Sequence, residues 1–178
     1  MMRLKKRYVA FAALVGAIAA ISAVAFAANV HFKHGSPVFS DGGLFLSSSG
    51  ALTGLGNGDV VITLNATGQP VATCTNPSGK TQPPGQNPAE VTLTGVQALP
   101  AAEIKNGNLN FNVNTGSPTT PVAGAPDCPG SNWTEDISDV IFAGHSATIT
   151  VYQPCTDTSP PINCPIVLQQ TFTVPSNV

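Results

Sequence analysis

From residue 37 onward the chain alternates hydrophobic and polar positions with a period of two. In "VVITLNAT" (Val60–Thr67), Val60, Ile62, Leu64 and Ala66 share one face, and Val61, Thr63, Asn65 and Thr67 share the other. "VTLTG" (Val91–Gly95), "LNFNVN" (Leu109–Asn114) and "ATITVY" (Ala147–Tyr152) repeat the pattern. "IVLQQTFTV" (Ile166–Val174) does so with Ile166, Leu168, Phe172 and Val174 inward. Successive side chains of a strand point to opposite faces, so period two predicts strands with one buried side. Shorter candidates are Val38–Leu46, Val71–Cys74 and Ile137–Phe142, which brings the expectation to seven or eight strands. No helical periodicity follows the first 27 residues. Half-polar strands pair antiparallel and bury their apolar faces against a second sheet. The predicted fold is all-β, an antiparallel β-sandwich of immunoglobulin-like kind, with a single domain over residues 37–178.

The connections carry turn chemistry. "NGD" (Asn57–Asp59) and "TGQP" (Thr67–Pro70) read as tight turns, in which glycine supplies positive φ and proline fixes φ. Two longer Pro/Gly loops are expected at Asn76–Ala89 and Thr115–Asn132. Residues 1–27 follow different rules. Arg3, Lys5, Lys6 and Arg7 precede an apolar run that ends in Ala25-Phe26-Ala27, the pattern of a helical signal peptide cleaved after Ala27. The competing expectation is an uncleaved leader that anchors an envelope subunit, because about 20 apolar residues can span a bilayer. Residues 28–36 read as a flexible mature N-terminus. The expected location is secreted, periplasmic or at the cell envelope.

Cleavage changes the charge balance. Lys33, Lys80 and Lys105 remain against nine acidic residues, a net charge of −6 with no arginine. Phosphate neutralisation and polybasic membrane contact both need clustered Lys and Arg. Nucleic acid is thereby excluded as a partner, and membrane contact is expected only through an uncleaved leader. Four cysteines in an exported chain read as two disulfides, and three pairings are open. A hairpin joining Ala147–Tyr152 to Ile166–Val174 would set Cys155 beside Cys164, and Cys74–Cys128 then follows by elimination. Zinc is not indicated, because no two cysteines lie two to four residues apart.

Candidate chemistry is sparse. Gly144-His145-Ser146 approaches a nucleophile elbow but lacks its last glycine and runs into a strand. Asp127, Glu135, Asp136 and Asp139 are oxygen ligands on one stretch and stand as calcium candidates, although their spacing fits no calcium-loop pattern. A solvated acidic loop is the default, and no cofactor is expected. His31 could join a copper chelate only if cleavage fell after Ala28. Trp133 follows Cys128 by five residues, unlike the tryptophan between two cysteines of antibody domains. The distinctive feature is the set of outward faces, rich in threonine and asparagine and free of charge. They suit sheet formation. They also suit contact with a protein or glycan surface, or self-association through strand addition.

The segments "SGALTGLGNGDVVITLNATG", "CTNPSGK…PGQNPAEVTLTG", "IKNGNLNFNVNT" and "NWTEDISDV" resemble small exported bacterial β-rich proteins. The resemblance covers about Ser47 to Val174. It implies export from a bacterial cell and brings no activity or site residues with it. The expected function is a non-enzymatic interaction or structural module outside the cytoplasm. The alternative is a secreted hydrolase with a site built from scattered acids and His145.

Overall fold

In the computed structural model, which describes residues 29–82, 88–122 and 128–178, the alternation becomes strand structure most plainly at Leu109–Asn114. There Leu109, Phe111 and Val113 are buried and the three asparagines are exposed. The strands are β1 His31–Phe32, β2 Val38–Asp41, β3 Leu46–Thr53, β4 Asp59–Thr75, β5 Thr81–Gln82, β6 Val91–Leu99, β7 Leu109–Asn114, β8 Thr134–Ile141, β9 Ser146–Cys155 and β10 Ile166–Thr173. A 3-10 turn at Ala101–Glu103 is the only helical element among the described residues. The expected leader, with Ala25 and Ala27, lies outside them, as does Asp127.

The strands form two antiparallel sheets packed as a β-sandwich. In the smaller, β3 pairs with β7 on one edge and with β1 and β2 on the other. The larger runs β10-β9-β4-β6 along the first half of β4, while β8 and β5 flank its second half. Leu46, Leu52, Phe111 and Val113 meet Ile62, Leu64, Ile149 and Val151 in the core between the sheets. Burial of each such side chain stabilises by about 1.5–3 kcal/mol. The smaller sheet also touches the larger at one corner. Gly116 N donates to Thr94 O at 3.0 Å, and Gln97 Oε1 accepts from Asn112 N at 3.0 Å.

Four local expectations are corrected. Thr67–Pro70 does not turn, because β4 runs straight through it for 17 residues. Gly68 is needed there for close approach: a Cβ would strike Val140 and Phe142. Pro70 is tolerated because β6 pairing stops at Gly68 and β5 pairing starts at Cys74, so no described strand needs its missing N–H on that edge. Val38–Leu46 is a hairpin, not one strand. Gly42 N donates to Phe45 O at 2.9 Å, Asp41 Oδ1 accepts from Gly43 N, and Gly43 adopts a φ of +81°. Ile166 points outward, 55% exposed, because a bulge between Ile166 and Leu168 shifts the register. The segment read as a flexible N-terminus contains β1, with Val30 buried beneath it. Phe32 packs against Phe111 and Phe172 at centroid distances of 6.0 and 5.5 Å.

At one core position a polar group has no partner among the described residues. The group is the hydroxyl of Ser48, which lies opposite Phe39 and Val113 with no exposed surface. A buried, unbonded hydroxyl is destabilising. Ser48→Ala is therefore expected to raise unfolding free energy by about 1 kcal/mol in a denaturant titration. A decrease of that size would mean the hydroxyl holds a bond worth keeping.

Candidate interaction face

The outer face of the larger sheet is built by register. Tyr152 of β9 stands beside Val61 of β4 and Ile166 of β10, and Val61 beside Ala98 of β6. The next row is Gln169, Thr150, Thr63 and Val96, followed by Thr171, Thr148, Asn65 and Thr94. Thr173, Ser146, Thr67 and Thr92 complete the array. None of these sixteen positions is charged and eight are threonine, so dispersion and neutral hydrogen bonds are the only attractions the face offers. With strands about 4.8 Å apart and alternate residues about 6.7 Å apart, it covers about 19 Å across the strands and about 27 Å along them.

Its polar groups are ordered by one another. Thr94 Oγ1 donates to Asn65 Oδ1 at 2.7 Å, and Gln169 Nε2 donates to Thr150 Oγ1 at 3.1 Å. Thr148 and Thr171 share a bond of 2.8 Å, as do Thr67 and Ser146 at 3.1 Å. Each cross-strand pair contributes about 0.2–1 kcal/mol and fixes a rotamer. A hydroxyl in such a pair keeps spare hydrogen-bonding capacity. Val61, Thr63 and Thr150 are buried within the array, and the Thr63 hydroxyl is unpartnered among the described residues. Beside it, in the β6 column at the border of the array, Val96 is 41% exposed and adds an apolar contact point.

One end of the face is braced by a residue the sequence reading passed over. Gln153 is 2% exposed. Its Oε1 accepts from Gly56 N at 2.9 Å, and its Nε2 donates to Gly56 O and Gly58 O at 2.8 and 3.0 Å. It thereby anchors the connection from β3 to β4. Its parity with Ala147, Ile149 and Val151 was the available signal. Just beyond it Cys155 is bonded to Cys164 across the β9–β10 hairpin, with Cα atoms 5.3 Å apart. Cys74 is bonded to Cys128, Cα to Cα 5.6 Å. Two disulfides fit an oxidising, extracellular or periplasmic setting.

The ionisable candidates lie elsewhere. His145 Nδ1 sits 3.5 Å from Glu90 Oε1 at the β8–β9 connection. Ser146 does not complete that pair, because its hydroxyl is bonded to Thr67 on the outer face. Asp59 Oδ1 accepts from Ala101 N at 2.8 Å, at the opposite end of the β4–β9 ladder from His145. On β8, Asp136 Oδ2 accepts from Thr75 Oγ1 at 3.1 Å, and Asp139 Oδ1 accepts from Val140 N at 2.9 Å. Glu135 Oε1 is buried without a partner among the described residues. Among those residues no three His, Cys, Asp or Glu side chains gather as metal ligands, so the calcium candidates Glu135, Asp136 and Asp139 are not brought together as a site. The half-buried Trp133 immediately precedes β8.

The chain matches no protein-family model and no curated protein.

Proposed function

We propose that the protein is an exported, non-enzymatic interaction module that uses the outer face of its larger sheet to contact an uncharged protein or glycan surface. The observation that carries this reading is the sixteen-position array, uncharged and cross-bonded before any partner arrives. Side chains already held in place lose less entropy on binding than free ones. The separation of Asp59, the Glu90–His145 pair and the β8 acids supports a role without catalysis, because a catalytic site needs ionisable groups that converge. The disulfides support a secreted or periplasmic location. Two antiparallel sheets joined by chain crossings from β3 to β4, from β6 to β7 and from β7 to β8 support the immunoglobulin-like description.

The test uses envelopes isolated from the producing cells. Native protein is expected to be retained on them, and Val96→Lys to be retained at least tenfold more weakly. A lysine in place of this exposed apolar side chain would have to shed its hydration on contact. Equal retention of the two proteins would remove this face from the function, and no retention of either would remove the envelope surface as the partner.

A further inference from the structure

The edges of the two sheets are guarded unequally. β2 has four residues and ends in Asp41. β8 carries Glu135, Asp136 and Asp139. β7 turns its second edge toward β6, where the Gln97 side chain accepts from Asn112 N. Short length, charge and cover are the usual means by which an edge avoids pairing with another chain. β10 has none of them. It runs for eight residues without charge, proline or glycine, pairs with β9 on one side, and meets no strand on the other among the described residues. Its only irregularity is the bulge near its start.

The direction of its free backbone groups follows from the hairpin. Val174 N donates to His145 O, and Val174 O accepts from Gly144 N, so residue 174 faces the β9 side. Backbone groups alternate along a strand. Phe172 and Gln170 therefore face β9, while Thr173, Thr171 and Gln169 present their N–H and C=O groups to the open edge.

We infer that β10 is a self-pairing edge through which two copies join antiparallel into one continuous sheet, β6-β4-β9-β10 followed by the partner's β10-β9-β4-β6. Antiparallel pairing of a strand with its own copy closes on a two-fold axis, so one surface satisfies itself. Charge selects this edge for a second copy. The described residues hold eight acidic residues against three lysines, and none of them lies on β10 or in the outer array. Area selects it as well. One array covers about 500 Å², short of the roughly 800 Å² that a stable interface takes from each partner. Two arrays joined edge to edge would present a single neutral face of ordinary interface size. The inference extends the reading of that face as a contact surface, and its failure would leave that reading standing.

The test is sedimentation velocity on the full, disulfide-intact protein from about 1 to 100 μM, with Thr171→Pro, Thr171→Val and Gln170→Lys alongside. Native protein is expected to form a dimer as concentration rises. Thr171→Pro removes an edge-facing N–H while sparing the bonds to β9, and should raise the dissociation constant at least tenfold with an unchanged circular dichroism spectrum. Thr171→Val keeps the backbone and should still dimerise. Should the proline variant not fold, Gln170→Lys decides, since a lysine on each copy of so short a strand would bring like charges together along the seam and should leave it monomeric. A native protein that stays monomeric at 100 μM overturns the inference, as does a dimer that survives both Thr171→Pro and Gln170→Lys. A monomer whose β10 amides gain exchange protection only on added envelopes would also overturn it and would assign the edge to another partner.

Discussion

Replacing Cys74 and Cys128 together by alanine is expected to lower stability by about 4 kcal/mol, against about 2.7 kcal/mol for the Cys155 and Cys164 pair. The two bonds close rings of very different size, with sequence separations of 54 and 9. A larger ring removes more freedom from the unfolded chain, which is the source of the difference. Cys74 also sits fully buried in the second half of β4, opposite Glu135 of β8 and Gln82 of β5. Losing its sulfur therefore leaves unfilled space besides the freed loop. Parallel urea titrations of the two double variants make the comparison direct. A Cys155/Cys164 variant as unstable as the Cys74/Cys128 variant would show that ring size does not set the order.

Gly95→Ala should cost about 3 kcal/mol, the upper part of the range for overpacking. A Cβ at Gly95 would overlap the carbonyl of Asn114 and crowd Thr115 N. Both are backbone groups, so no side chain can swing away. Relief requires β6 to part from the end of β7, which strains the Gly116 N–Thr94 O bond and the Gln97–Asn112 bond. Gly116, two residues beyond Asn114, is the natural control. A Cβ there meets only Thr94 O at 3.8 Å, ordinary contact, and Gly116→Ala should change stability by less than about 0.5 kcal/mol. Equal effects at the two glycines in denaturant unfolding would mean that the sheets do not meet where described.

How much of this was legible depends on whether a feature is local. Leu109–Asn114 and Ala147–Tyr152 could be read because period two is written in neighbouring residues and the core enforces it. Thr67–Pro70 was misread as a turn because its glycine and proline respond to distant atoms. Val140 and Phe142 press on Gly68, and the gap between β6 and β5 accommodates Pro70. The β2–β3 hairpin was hidden by Leu44 and Phe45, which prolong an apolar pattern across Gly42 and Gly43. Outward threonines could be listed from parity alone. Their array could not, since placing Thr94 beside Asn65, or Thr148 beside Thr171, requires the register between strands. Gln153 was within reach of parity, but a glutamine at an inward position does not reveal that it will hold Gly56 and Gly58.

The length of β4 bears on when this protein can fold. Its first half pairs with β6, only 23 to 39 residues along the chain, but its other edge pairs with β9, 81 to 96 residues away. Contacts so distant make folding slow, because the loops must close before the ladder rewards them. A chain emerging from its N-terminus would carry Val60–Leu64 half-covered until Ser146–Cys155 had followed. Assembly of the larger sheet therefore lags the appearance of β4, because it waits for β9. Until then the exposed edge of β4 is where a chaperone would find its grip.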